Sequence, residues 1–229
     1  MSIFVIGDLH LSFSTDKPMN IFGSNWEKHY EKIKTDWISK VNEEDLVLLT
    51  GDISWAMSLK EADEDFKWID NLPGKKIIVK GNHDYWWTTL SKMNNLYKSI
   101  KFINNNYYEY NGIAICGSRG WVCPKDSEFT EHDMKIYNRE VNRMEMSIKA
   151  AKVAGMKEII VIMHYPPTND KHEESKFTDL FFKEEIKNVF YGHLHTEISF
   201  EAGIKGEFYG VNYYLTSCDY LDFKLLKFS

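Results

Sequence analysis

The sequence predicts an α/β fold of the α+β type on mixed sheets, because short apolar runs alternate with stretches of helical periodicity. A second observation is an Asn-Gly hairpin signal within residues 100–117, which breaks that alternation and calls for antiparallel pairing. A third is that five of the apolar runs end directly in Asp, Asn or His. The first run, Ile3 to Ile6, reads as a buried strand closed by Gly7. Helical spacing follows at Trp26, Tyr30, Ile33, Trp37 and Val41, and then a strand over 45–50 closed by Gly51. Leu59, Ala62, Phe66 and Ile69 mark a second helix. Ser58 and Glu61 have capping-box spacing at its start, and Pro73-Gly74 stops it. Lys76 to Lys80 is the third strand, closed by Gly81. Tyr107 to Tyr110 and Ile113 to Cys116 flank Asn111-Gly112, the pair favoured in type I′ turns. A long helix is predicted over 133–154, with Ile136, Val141, Met144, Ile148 and Ala151 inward and Gly155 as its stop. Glu158 to Met163 and Asn188 to Tyr191 are further buried strands. Tyr213 to Ser217 and Phe223 to Phe228 read as a second hairpin joined near Asp219. With no repeat and no linker, one domain over 1–229 is expected.

Composition excludes several classes. A hydrophobic content of 43% with 27% charged residues belongs to a globular chain, not a disordered one. The net charge of −6 gives no overall basic field for nucleic acid. No apolar run approaches the roughly 18 residues of a membrane span, and the N-terminus has no leader pattern. Three cysteines without metal-type spacing suggest reduced thiols, so the cytoplasm is the expected compartment. The chain carries no signature of an oligomeric state.

The polar residues at strand ends carry the chemistry. Carboxyl ends of buried parallel strands are where an α/β sheet opens to solvent. There the sequence offers Asp8 and His10, Asp52, Asn82 with His83 and Asp84, His164, and His193 with His195. In extended segments, residues two apart point to one side, so Asp-x-His and His-x-His can serve a common ion. Carboxylate, imidazole and amide ligands together suit Mn, Fe or Zn rather than an all-oxygen Ca site. The set is too large for one tetrahedral ion and fits two ions about 3.5–4 Å apart, bridged by a carboxylate. Asp52 is the expected bridge.

In order, Asp8-Leu9-His10, Gly51-Asp52, Gly81-Asn82-His83-Asp84, His164 and Gly192-His193-Leu194-His195 resemble the blocks of the calcineurin-like metallophosphoesterase superfamily. The resemblance implies a four-layer sandwich of two packed mixed sheets flanked by helices. It implies that Asp8, His10 and His195 bind one divalent ion, that Asn82, His164 and His193 bind the other, and that Asp52 bridges them. His83 is then catalytic, contacting phosphate or protonating the leaving oxygen, while a metal-bridging hydroxide attacks phosphorus in line. The substrate is a small phosphodiester or phosphomonoester. A non-catalytic metal-binding scaffold and a nuclease of the same superfamily are the competing readings. The charge of −6 counts against the nuclease.

The chain also departs from relatives. Phosphoprotein phosphatases extend the second block to G-D-x-x-D-R, whereas this chain has Gly51-Asp52-Ile53-Ser54-Trp55-Ala56. The aspartate that would orient His83 and the arginine that would grip phosphate are missing from that block. Asp84 is the candidate orienting residue, and Arg119, after a predicted strand, is the candidate phosphate contact. Met163-His164-Tyr165-Pro166-Pro167 is similar to the H-x-P-P pattern of small phosphodiesterases. Trp55, Tyr85, Trp86 and Trp87 either wall the site or plug the loop layer. His29, His132 and His172 read as surface residues. The acidic run Glu61, Asp63, Glu64 and Asp65 reads as complement to a helix dipole.

Overall fold

The structure, a computed structural model, describes residues 1–124 and 129–229. β1 (Ile3–Ile6), β2 (Leu46–Leu49), β3 (Lys75–Val79) and β4 (Ile100–Ile103) form one parallel sheet, completed by the antiparallel β11 (Leu226–Lys227) beside β1. The second sheet runs β5 (Tyr107–Tyr110), β6 (Ile113–Ser118), β7 (Glu158–Met163), β8 (Asn188–Tyr191), β10 (Val211–Leu215) and β9 (Gly206–Phe208), with both edge strands antiparallel.

Alternation along the strands sorts side chains into three cores. Ile3, Val5, Leu46, Leu48, Ile77 and Val79 meet Ile115, Ile160, Ile162 and Phe190 between the sheets. Phe4, Ile6, Val47, Leu49 and Ile78 face α1 (His29–Lys40) and α2 (Asp63–Asp70). Ala114, Cys116, Val161 and Val189 face α4 (Glu131–Val153) and α5 (Lys176–Lys183). The layers are therefore helix, sheet, sheet, helix. That is the sandwich the resemblance implied, and it buries every apolar face of both sheets.

Several boundaries differ from expectation. The first helix starts at His29 because Lys28 is left-handed (φ 49°), which cuts off the 3₁₀ turn Ser24–Trp26. Ser58 and Glu61 do bond locally, but Glu61 accepts from Met57 N–H and closes a turn ahead of α2. The buried stripe of α4 runs through Tyr137, Glu140, Met144, Ser147, Ile148 and Ala151, while Ile136 and Val141 lie at its margin. Thr130 and Asp133 form its capping box. Asn111 (φ 51°) and Gly112 (φ 81°) make the expected tight turn between β5 and β6.

The C-terminal hairpin does not form. β10 and β11 belong to different sheets, and the hairpin partner of β10 is β9, through Tyr209 and Gly210 at φ 50° and 72°. The short helices α3 (Leu90–Met93) and α6 (Glu197–Ala202), together with α5, had no assignment from periodicity.

The two sheets are tied where their strands end. Gly7 N–H donates to Thr216 carbonyl (2.7 Å), Cys218 N–H donates to Gly7 carbonyl (3.0 Å), and the Thr50 and Thr216 hydroxyls bond at 3.0 Å. These bonds bring the carboxyl ends of β1 and β2 against that of β10.

Candidate metal centre

The rim so formed gathers every strand-end residue. Loops after β1, β2 and β8 do so with strained backbone: Asp8 (φ 57°), His10 (φ 44°), Asp52 (φ 51°) and His193 (φ 76°) are all left-handed. The Asp-x-His pair is thus not extended as expected; a left-handed residue at each end turns both side chains inward. Such conformations cost about 1–3 kcal/mol each and cluster at functional sites. Their support comes from backbone bonds, Asp8 N–H to Gly51 carbonyl (2.9 Å) and His10 N–H to Asp52 carbonyl (3.0 Å). Glycine is required at 81, where a Cβ would collide with the backbone N and carboxylate of Asp52.

The ligand-type atoms converge. Asp52 Oδ2 lies 3.5 Å from His164 Nε2 and 3.9 Å from His10 Nε2. His195 Nε2 is 3.5 Å from Asp8 Oδ1 and 3.3 Å from His10 Nε2. His164 Nε2 is 2.6 Å from Asn82 Oδ1 and 3.1 Å from His193 Nδ1. Two groups among the described residues could each hold an ion: Asp8, His10 and His195, and Asp8, Asp52 and His164.

Tautomers follow from the outer bonds. His164 Nδ1 donates to Thr50 carbonyl (3.0 Å), so it presents an Nε2 lone pair inward, and His195 Nδ1 donates to Asp219 (3.1 Å), which leaves Nε2 as the nitrogen that an ion would claim in exchange for its proton. Burial pushes His164 and His193 down to about 3, which keeps both neutral. Burial and the neighbouring Asp84 and Asp8 hold Asp52 well above its usual range in the metal-free chain. Burial opposes charge on His195 too, but bonds to Asp219 and Asp8 prevail and raise it to about 10. Among the described residues His10 Nδ1 is buried without a partner. Opposed lone pairs and crowded, buried carboxylates are what a cation between them relieves, so the donor set fits divalent metal.

The remaining residues sort differently. The His83 ring packs on Trp55 (4.4 Å between centroids), its backbone N–H donates to Asp52 Oδ1 (2.8 Å), and among the described residues its ring accepts or donates no hydrogen bond. Asp84 does not orient His83. Its carboxylate accepts from the backbone N–H of Gly81 (2.7 Å), Ile53 (2.8 Å) and Asp52 (3.0 Å) and from Trp86 Nε1 (2.9 Å), which lashes the β2 and β3 loops together. Arg119 is turned to α4: its guanidinium lies 3.6 Å from Glu140 and 4.4 Å over the Trp121 ring. Its carbonyl accepts from His164 and Tyr165 N–H, fixing the β7 loop. The aromatic set divides, since Trp86 and Trp87 fill the core while Trp55 stacks on His10 at 4.8 Å and Tyr85 is exposed.

Three residues gain roles that their sequence context hid. His29 is buried, with Nε2 2.8 Å from Leu9 carbonyl between the two halves of the first block. Asp65 leaves the acidic run and turns inward, accepting from Phe13 N–H (2.9 Å) and from the Ser54 hydroxyl. Asp219, the joint of the expected C-terminal hairpin, instead lies past the end of β10 and accepts from His195 Nδ1 (3.1 Å). His172 is also partly buried, with Nε2 2.9 Å from Ala202 carbonyl, while His132 is exposed as expected.

Fold and centre together define a class, and the family model described as calcineurin-like phosphoesterase matches residues 1–197. The chain belongs to that family, whose members are metal-dependent phosphoesterases. Among curated proteins it is similar to the gene 66 protein of Mycobacterium phage L5, 32% identical over 189 residues that cover 82% of this chain and 75% of the relative. The gene 66 protein of Mycobacterium phage D29 is 20% identical over 198 residues, covering 86% of this chain and 80% of that one. Two solved structures share the fold. One is a protein of unknown function from Aquifex aeolicus, with TM-score 0.52 and 19% identity over 99% of this chain and 95% of that one. The other is a phosphopantetheinyl hydrolase from Mycobacterium tuberculosis, with TM-score 0.57 and 11% identity over the same shares. Among the described residues no helix is long and apolar enough to cross a membrane.

Proposed function

We propose that this chain hydrolyses a small phosphodiester or phosphomonoester with two divalent ions, Mn, Fe or Zn, held at the convergent rim. Asp8, His10 and His195 would hold one ion, Asn82, His164 and His193 the other, with Asp52 shared. The observation that carries this reading is Asp52 Oδ2, which lies within 4 Å of ring nitrogens from both halves, 3.5 Å from His164 and 3.9 Å from His10. When bound, such ions neutralise phosphoryl charge and lower the pKa of water toward neutrality. The protein's share is preorganisation. His164 and His195 are fixed as Nε2 donors by Thr50 and Asp219, and the buried Asp84 holds the loops of Asp52 and Asn82 in register.

His83 is the proposed acid for the leaving oxygen. Burial and the nearby His195 hold its pKa below the ordinary imidazole value in the metal-free chain, so the protonated form that can serve a departing alkoxide or phenoxide gains as pH falls below neutral. Its ring is free to meet that oxygen because its backbone alone is committed to Asp52.

The test is hydrolysis of bis(4-nitrophenyl) phosphate and 4-nitrophenyl phosphate by protein stripped of metal and reloaded with Mn, Fe or Zn. Turnover should depend on the ion and vanish in Asp52→Ala and His164→Ala, while His83→Ala loses about 10²–10⁴-fold in kcat. Turnover that survives in Asp52→Ala would overturn the assignment. A phosphopantetheinyl ester joins the panel because a chain of the same fold is a phosphopantetheinyl hydrolase.

A further inference from the structure

Beside His193 the loops after β6, β7 and β8 enclose a cleft of about 200 Å³. Tyr165, Pro166, Leu194 and Ala202 give it a largely apolar wall, and Tyr165 packs on the His193 ring at 4.1 Å. Thr168 lines the same cleft. It is 5% exposed, and among the described residues its covered hydroxyl has no hydrogen-bond partner. Buried polar atoms in native proteins are nearly always satisfied, so an unpartnered hydroxyl on a cleft-lining residue points to a ligand that satisfies it once the side chain turns toward the cleft. The wall is held in place from behind: Asn169 Oδ1 accepts from Lys171 and Glu173 N–H, and its amide donates to Pro124 carbonyl.

We propose that this cleft is the subsite for one organic group of the phosphoester, and that the group is compact and uncharged, with a single hydrogen-bonding atom for Thr168 Oγ1. The inference rests on the phosphoesterase reading above and extends it to substrate class. Position supports it, because His193 belongs both to the cleft wall and to the convergent rim. Size limits the occupant: the cleft is smaller than the roughly 300 Å³ at which pockets enclose drug-sized ligands, which favours a group of a few heavy atoms over a nucleoside. Charge limits it further. Among the described residues that line the cleft no lysine or arginine occurs, and the one carboxylate, Asp170, is exposed at its edge. A second phosphate is disfavoured there.

Binding of simple phosphonates to the Mn-loaded protein, measured by calorimetry, tests this apart from turnover. Methylphosphonate reports the metal centre alone, 2-carbamoylethylphosphonate adds an amide that fits the cleft, and 3-methylbutylphosphonate is its alkyl isostere. The carbamoyl compound should bind at least about tenfold tighter than methylphosphonate, and Thr168→Val should erase its advantage over the isostere. Ala202→Leu, which fills the cleft, should bring both longer phosphonates to within about twofold of methylphosphonate. Equal affinity of all three for the wild type, or ratios unmoved in both variants, would overturn the subsite. The expected binding ratios without turnover of any ester would support the subsite while defeating the hydrolase reading.

Discussion

Asp219 decides which nitrogen of His195 faces the carboxylates. By accepting from Nδ1 at 3.1 Å it fixes the tautomer and the ring plane. Carboxylates placed behind a metal-ligating histidine are typically worth 10–100-fold in metal affinity. Asp219→Ala should therefore weaken Mn binding by about that factor, read by titration into metal-stripped protein, with Asp219→Asn recovering part of the loss. Affinity unchanged in Asp219→Ala would remove it from the centre. Asp84 shows the opposite use of a carboxylate. Burial pushes it up to about 6 against the pull of its N–H donors, and its work is to hold two loops rather than to act on His83. Adjacency in sequence suggested the orienting role. The left-handed backbone at Asp52 and the turn at Gly81 rotate the carboxylate into the loops instead.

Two buried charges tie elements to the site from outside it. Glu140, on the buried face of α4, lies 2.7 Å from Arg143 and 3.6 Å from Arg119. Arg119 is itself largely buried, and removing one partner of such a pair strands the other. Glu140→Ala should cost about 3–5 kcal/mol in urea unfolding, whereas a purely solvated pair would cost under about 1 kcal/mol.

Lys76, the second residue of β3, has its amine buried, donating to Leu72 carbonyl and to the Ser99 hydroxyl (3.0 Å). Burial lowers its pKa to about 8 from 10.5. Between those values the unfolded chain binds more protons than the folded one, so this residue's contribution to stability rises with pH from about 8 to 10.5. Wild type minus Lys76→Met stability should increase across that window in denaturant titrations. A flat difference would show that the amine stays charged in the fold.

For the whole molecule, ions that bind only the folded chain add stability by mass action, about 2.7 kcal/mol at a hundredfold excess over Kd. Saturating Mn should raise the melting temperature of metal-stripped protein, chelation should reverse the rise, and Asp52→Ala should abolish most of it. An equal shift in wild type and Asp52→Ala would place the ion elsewhere. The net charge of −6 belongs to the chain without ions, and two divalent cations bound at the rim would bring it to about −2. Two of the acidic residues behind that charge, Asp8 and Asp52, sit at the rim, where they meet the imidazoles of four histidines.

The alternation of apolar runs and the residues that end them made the sheet-and-helix class legible and singled out the polar residues that the fold gathers at one rim, because strand burial and strand-end chemistry are local in sequence. Short elements were harder to read: α3 and α6 span 4 and 6 residues, too few for a period to stand out. What sequence could not show was partnership across the fold. β10 and β11 read alike as a hairpin, yet each finds a parallel or antiparallel neighbour in a different sheet. His29, Asp65 and Asp219 look like surface polar residues until residues 20, 52 and 24 positions away in the chain come within hydrogen-bond distance. The sequence by itself determined which side chains are the candidates for the chemistry. Only the tertiary structure decided which others hold them, since a hydrogen bond depends on separation in space and direction, and both are set when the two sheets close on one another.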